Sequence, residues 1–79
     1  MMREVKVLLE SIDRVKKFVS IANGFDVDMD LISGRYTIDA KSILGIFSMD
    51  LSKPLVLQVH AQQDEAEEVL EAIQDYVVG

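Results

Sequence analysis

Ile38-Asp39-Ala40-Lys41-Ser42-Ile43-Leu44-Gly45-Ile46-Phe47-Ser48-Met49-Asp50-Leu51 sets seven large apolar residues in fourteen positions around Ser42. A helix this short and this apolar has more greasy surface than one core contact can absorb. With Ser42 at its first turn, helical spacing puts Ile46 and Met49 on one face and spreads Ile43, Leu44 and Phe47 over the neighbouring one. The first face is expected in the core. The second is left over, and on a small domain a leftover apolar face reads as a docking surface.

Working outward, the residues before this stretch form a hairpin. Phe25-Asp26-Val27-Asp28-Met29-Asp30-Leu31 alternates strictly, as a strand with one wet face does, Ser33-Gly34 turns the chain, and Arg35-Tyr36-Thr37-Ile38 returns. Earlier still, Arg3 to Leu9 alternates as a first strand. Ser11 then makes an N-cap for a helix in which Val15, Phe18, Val19 and Ala22 share a stripe, and Asn23-Gly24 is expected to close it in a left-handed C-cap. After the central stretch, Pro54 opens a fourth strand, Leu55 to Ala61, with Leu57, Val59 and Ala61 facing one way and Val56, Gln58 and His60 the other. Gln62-Gln63-Asp64 caps a last helix with the stripe Ala66, Val69, Leu70, Ile73 and Val77.

The order is strand, helix, strand, strand, helix, strand, helix. The layered solution is an α+β open-faced sandwich: a four-stranded antiparallel sheet with three helices on one face, forming a single domain over residues 1–79. Asp26, Asp28, Asp30 and His60 are expected on the helix-free face.

Composition narrows the function classes. Seventy-nine residues leave little chain for an elaborate pocket, which argues against a multi-substrate enzyme. The chain has no Cys, so thiolate metal sites, disulfides and cysteine nucleophiles are all excluded. A net charge of -6, from 14 acidic and eight basic residues, makes nucleic acid an unexpected partner. The beginning Met1-Met2-Arg3-Glu4-Val5-Lys6 does not read as a signal peptide and no apolar run is long enough to span a bilayer, so a cytoplasmic protein without membrane contact is expected. Arg14, Lys16 and Lys17 cluster on the first helix, while Asp64, Glu65, Glu67, Glu68, Glu71 and Asp75 crowd the last segment.

Other constellations are weaker. Asp26, Asp28 and Asp30 start like a calcium loop, but Leu31 stands where that loop needs Gly and Thr37 where it needs Glu, so a solvated row is expected and no metal. His60 is the only imidazole and reads as a surface residue; Tyr36 and Tyr76 read as packing residues with wet hydroxyls. No cofactor is implied.

The element order and the run Ala40-Lys41-Ser42-Ile43-Leu44-Gly45-Ile46-Phe47-Ser48-Met49 resemble the HPr family, the histidine phosphocarriers of the bacterial sugar phosphotransferase system. Phe18-Val19, Gly24-Phe25 and Ser33-Gly34 fit the same resemblance, which covers nearly the whole chain. It implies an active histidine between the first strand and first helix, in a Gly-Leu-His-Ser/Thr-Arg-Pro loop. This sequence departs from that loop: Leu9 is followed by Glu10-Ser11-Ile12-Asp13-Arg14-Val15, with no His, Gly or Pro. A carrier needs a ring nitrogen to take and return the phosphoryl group, and Ser11 has no base beside it, so Ser11 reads as the N-cap.

Ser42 resembles the family's regulatory phosphorylation site, which in Gram-positive members is modified by an ATP-dependent HPr kinase and then binds a transcription regulator. The expectation is a non-enzymatic HPr-fold regulator that does not carry phosphate on histidine. Its partners would be phosphotransferase-system or transcription-regulator proteins, docking on Ile43, Leu44 and Phe47 with Arg14, Lys16, Lys17 and Lys41 beside them. Two alternatives stand next to it: a phosphocarrier acting through a non-standard residue, and a small-molecule-sensing module of similar strand order.

Overall fold

A computed structural model describes residues 2–78 and runs β1 (Met2–Val7), α1 (Ile12–Asn23), β2 (Asp28–Ser33), β3 (Tyr36–Asp39), α2 (Ile43–Phe47), β4 (Leu55–His60), α3 (Gln63–Ala72), a 3-10 turn (Gln74–Tyr76) and β5 (Val77–Val78). The strands pair antiparallel throughout in the order β3-β2-β4-β1-β5. The sheet therefore has five strands where four were expected. Its fifth comes from Val77, which had been read as the last residue of a helical stripe. The helix stops at Ala72, the 3-10 turn reverses the chain, and Val77 and Val78 pair with Val7 and Lys6.

Alternation in the sequence decides the two faces. Val7, Met29, Leu31, Leu55, Leu57 and Val59 point to the helices and are buried, joined by Val15, Phe18, Val19 and Ala22 of α1, Ile46 of α2, and Ala66 and Val69 of α3. Opposite residues in an antiparallel pair share a face, so the register reads the helix-free side in rungs. Thr37, Ile32, Val56, Lys6 and Val78 form one rung across all five strands; Asp39, Asp30, Gln58 and Glu4 form the next; Asp28 and His60 follow. Asp28, Asp30 and His60 thus lie where expected. Asp26 precedes the strand, since β2 starts at Asp28 rather than at Phe25, and lines a groove with Asp28 and His60 at that end of the sheet.

Two backbone expectations shift. Gly24 caps α1 in the right-handed region, with φ -77° and ψ -8°, instead of the left-handed one. Positive φ falls instead at Glu10, at +68°, and at Gly34, at +58°. Gly34 is the first central residue of a two-residue hairpin loop between Ser33 and Tyr36, the position where turns of this hand call for glycine.

Candidate functional site

The α2 region is built around a close approach. A Cβ on Gly45 would lie 2.6 Å from Ile38 Cγ2 and 3.1 Å from Ser42 Oγ, so only glycine lets this helix sit down on β3. Ser42 is the N-cap: its Oγ accepts from the Gly45 amide at 3.2 Å, its carbonyl accepts from Ile46, and its own N–H donates to the Asp39 carbonyl. Its side chain is half-buried in that role.

The apolar residues divide as the spacing predicts except at Ile43, which was expected on the leftover face and instead packs partly against the core. Ile46 is fully buried, Met49 and Ile43 are half-buried, and Leu44 and Phe47 are 80% and 39% exposed. Ile12, at the first turn of α1, is also 59% exposed, an apolar side chain in solvent that sequence reasoning missed. It lies one turn before Lys16, and α1 packs on α2. Spacing alone did not flag it: at 100° per residue Ile12 falls about 20° from Val19, on the margin of the buried stripe.

The cations do not gather into one spot. Lys16 and Lys17 are exposed. Arg14 is half-buried and points elsewhere: Nε donates to the Leu9 carbonyl at 3.0 Å, Nη2 donates to the carbonyls of Leu8 at 3.0 Å and Asp75 at 3.3 Å, and the guanidinium carbon lies 4.6 Å from the centre of the Tyr76 ring. At 100° per residue Lys16 falls about 200° around the helix from Arg14, on its other flank. Lys41 aims its ammonium at the Phe25 carbonyl, 2.7 Å away, rather than at Ser42, and its amide donates to Asp39 Oδ1 at 2.9 Å.

The first loop is a tight corner. Ser11 Oγ accepts from the Arg14 amide at 3.2 Å, the N-cap bond expected of it. The Ser11 amide donates back to the Leu9 carbonyl at 2.8 Å, closing a three-residue turn around Glu10, and the Glu10 amide donates to the Leu51 carbonyl at 3.0 Å. The imidazole is remote from this corner. His60 sits at the end of β4 on the helix-free face, opposite Asp28 and with Nε2 3.0 Å from Asp30 Oδ2. Tyr36 is 73% exposed, not packed as expected, whereas Tyr76 is buried with its ring edge-on to Phe18 at 5.5 Å.

Beyond α2, Asp50 accepts from the Ser52 hydroxyl at 2.6 Å and the Ser52 amide at 3.1 Å. Those two hydrogen bonds, the side-chain one first, with Lys53 adding a smaller attraction, hold the Asp50 carboxyl below the ordinary aspartate range.

Comparison with known proteins fits this geometry. The family model for the phosphotransferase-system HPr component, described as its phosphorylation site, matches residues 14–78. Among solved structures, the phosphocarrier protein HPr from Bacillus anthracis is 30% identical, with 99% of this chain and 96% of that one covered and a TM-score of 0.74. An HPr structure from Thermoanaerobacter tengcongensis is 24% identical over 95% of this chain and 88% of that one, at a TM-score of 0.70. Crh, the catabolite-repression protein of Bacillus subtilis, is 24% identical with the same coverage and a TM-score of 0.62. Comparison with curated proteins gave no match. With its family model spanning α1 to β5, its capped serine helix and its sheet order, the chain belongs to the HPr family of the phosphotransferase system.

Proposed function

We propose that this chain is a regulatory, protein-binding member of the HPr family that does not carry phosphate on histidine. The observation that carries the reading is the first loop: its helix-capping position is Ser11, engaged in the cap, followed by Ile12 and Asp13, while the single imidazole of the chain lies on β4 across the sheet. A phosphoryl carrier needs a nucleophilic nitrogen at the donor's docking point, and none is there. What remains in this reading is a binding surface of exposed Leu44 and Phe47 with half-buried Ile43 on α2, served by Lys16 and Lys17, exposed on the α1 that packs on α2, and by Lys41 beside Ser42 in the chain. That a structurally similar protein works in catabolite repression is in keeping with a regulatory role.

Ser42 is the site of regulation in this reading, modified by an ATP-dependent kinase. The phosphate would add close to two negative charges, and its oxygens can replace the hydroxyl as acceptors for the amides the cap now satisfies. The fold survives and the surface changes. Incubation with ATP and the HPr kinase of a Gram-positive bacterium, followed by mass spectrometry, is expected to place one phosphate on Ser42. An unmodified Ser42 beside a labelled ordinary HPr in the same tube removes the switch.

The competing reading is transfer through another residue. His60 is the sole candidate ring, and Asp30 at 3.0 Å orients it, but Asp28 opposite it adds a second carboxylate to repel an incoming phosphoryl group. Incubation with phosphoenolpyruvate and the first phosphotransferase enzyme is expected to leave the chain unlabelled. Stoichiometric acid-labile phosphate, lost in His60→Ala, would establish the carrier instead.

A further inference from the structure

The fifth strand is too short to hold itself. Ordering a residue costs more backbone entropy than a typical hydrogen bond returns. Two residues paired with Lys6 and Val7, plus the Leu8 amide bonded to the Tyr76 carbonyl at 2.8 Å, are a poor bargain alone. What anchors the segment is Tyr76, wedged against Phe18, and the Arg14 guanidinium, which faces the Tyr76 ring and donates to the Asp75 carbonyl.

The same guanidinium holds the first loop. Its other two bonds go to the carbonyls of Leu8 and Leu9, which lead into Glu10 at φ +68°. A non-glycine residue held there is strained, and such strain persists only where the surroundings over-determine it. At Glu10 those surroundings are Arg14 on one side and the bond to Leu51 on the other.

We propose that β5 is a strap across the first-loop corner, that Arg14 is its buckle, and that strap, first loop and the Leu51 loop open together as one unit short of global unfolding. Releasing Arg14 frees three carbonyls at once and removes the restraint on Glu10; the turn relaxes, its hold on Leu51 goes, and β5 loses its anchor. The inference rests on the reading of α2 as a partner surface in one respect: the loosened loop is the one that leaves α2, so opening loosens the Phe47 end of that surface.

Native-state amide exchange of the full chain in low denaturant tests this. The Leu8 and Glu10 amides, bonded to Tyr76 and Leu51 respectively, are expected to exchange through one opening with the same denaturant dependence, easier than the opening that exposes Leu57 in the centre of the sheet. Arg14→Lys, which keeps the charge but loses the fork, is expected to speed both amides by about tenfold and by the same factor. Different denaturant slopes for Leu8 and Glu10, exchange of both only with Leu57, or rates unchanged in Arg14→Lys would each overturn the proposal. Kinase labelling reads the other hypothesis separately: a unitary opening with Ser42 never modified keeps the strap and discards the switch.

Discussion

At the scale of single residues, Ser42 and Gly45 are one device. The hydroxyl caps the helix by accepting from Gly45, and Gly45 lets the helix close on Ile38. Ser42→Ala is therefore expected to cost about 1 kcal/mol by chemical denaturation, and Ser42→Asp, which keeps a cap acceptor, much less. Gly45→Ala pushes a methyl to within 2.6 Å of Ile38 and should cost about 1–3 kcal/mol, since helix or side chain has to move. A Gly45→Ala protein as stable as the parent would show that α2 is not seated as described. Asp50 supplies a pH test. Its lowered carboxyl contributes stability above the ordinary value of 3.8, and that contribution is lost as pH falls through the lower folded value. An NMR titration should give a midpoint below 3.8 that Ser52→Ala raises, Ser52 being the main cause of the shift; a parent midpoint at or above 3.8 refutes the assignment.

At the scale of elements, two phenylalanines separate fold from surface. Phe18 of α1 is fully buried with Tyr76 edge-on to it, so Phe18→Ala should cost on the order of 3 kcal/mol. Phe47 is 39% exposed, and Phe47→Ala should cost well under half of that while weakening a partner that docks on α2. Equal losses would put Phe47 in the core. This division was legible in the sequence, as were the β2 alternation, the Ser11 and Ser42 caps and the apolar run of α2, because each is a local pattern. The end of α3 was not. Val77 falls four residues after Ile73 and continues a helical stripe on paper; only the free edge of β1, more than sixty positions away, converts it to a strand. Arg14 was misread for a similar reason. Adjacency to Lys16 and Lys17 suggested one cationic spot, but Lys16 lies on the other flank and the Arg14 guanidinium is taken up by three carbonyls and a tyrosine face.

For the whole molecule, charge is the dominant feature. The five acids Asp64, Glu65, Glu67, Glu68 and Glu71 are exposed along α3, and the lysine ion pair among the described residues, Lys53 with Asp50 at 3.9 Å, is itself exposed. A body with a net charge of -6 repels itself. Raising salt from about 0.01 M to 0.1 M shortens the screening length from about 30 Å to 10 Å, so the melting temperature should rise over that range. A flat or falling melting curve would mean that compensating pairs outweigh the repulsion. The two borders of the sheet also differ as handles for experiment. At one, Gly34-Arg35 projects as a hairpin tip where a Cβ on Gly34 would meet nothing within 4 Å; at the other, β5 is two residues held by Arg14. Because the chain has no cysteine, Arg35→Cys creates a single attachment point for a fluorophore or tether. A reporter there stands at the border opposite the strap, on the hairpin whose Ser33 and Tyr36 share a groove with Ser48 and Met49 just beyond α2, and so registers a partner's arrival on that helix, whereas one hung on Val78 would register mainly the disturbance it makes.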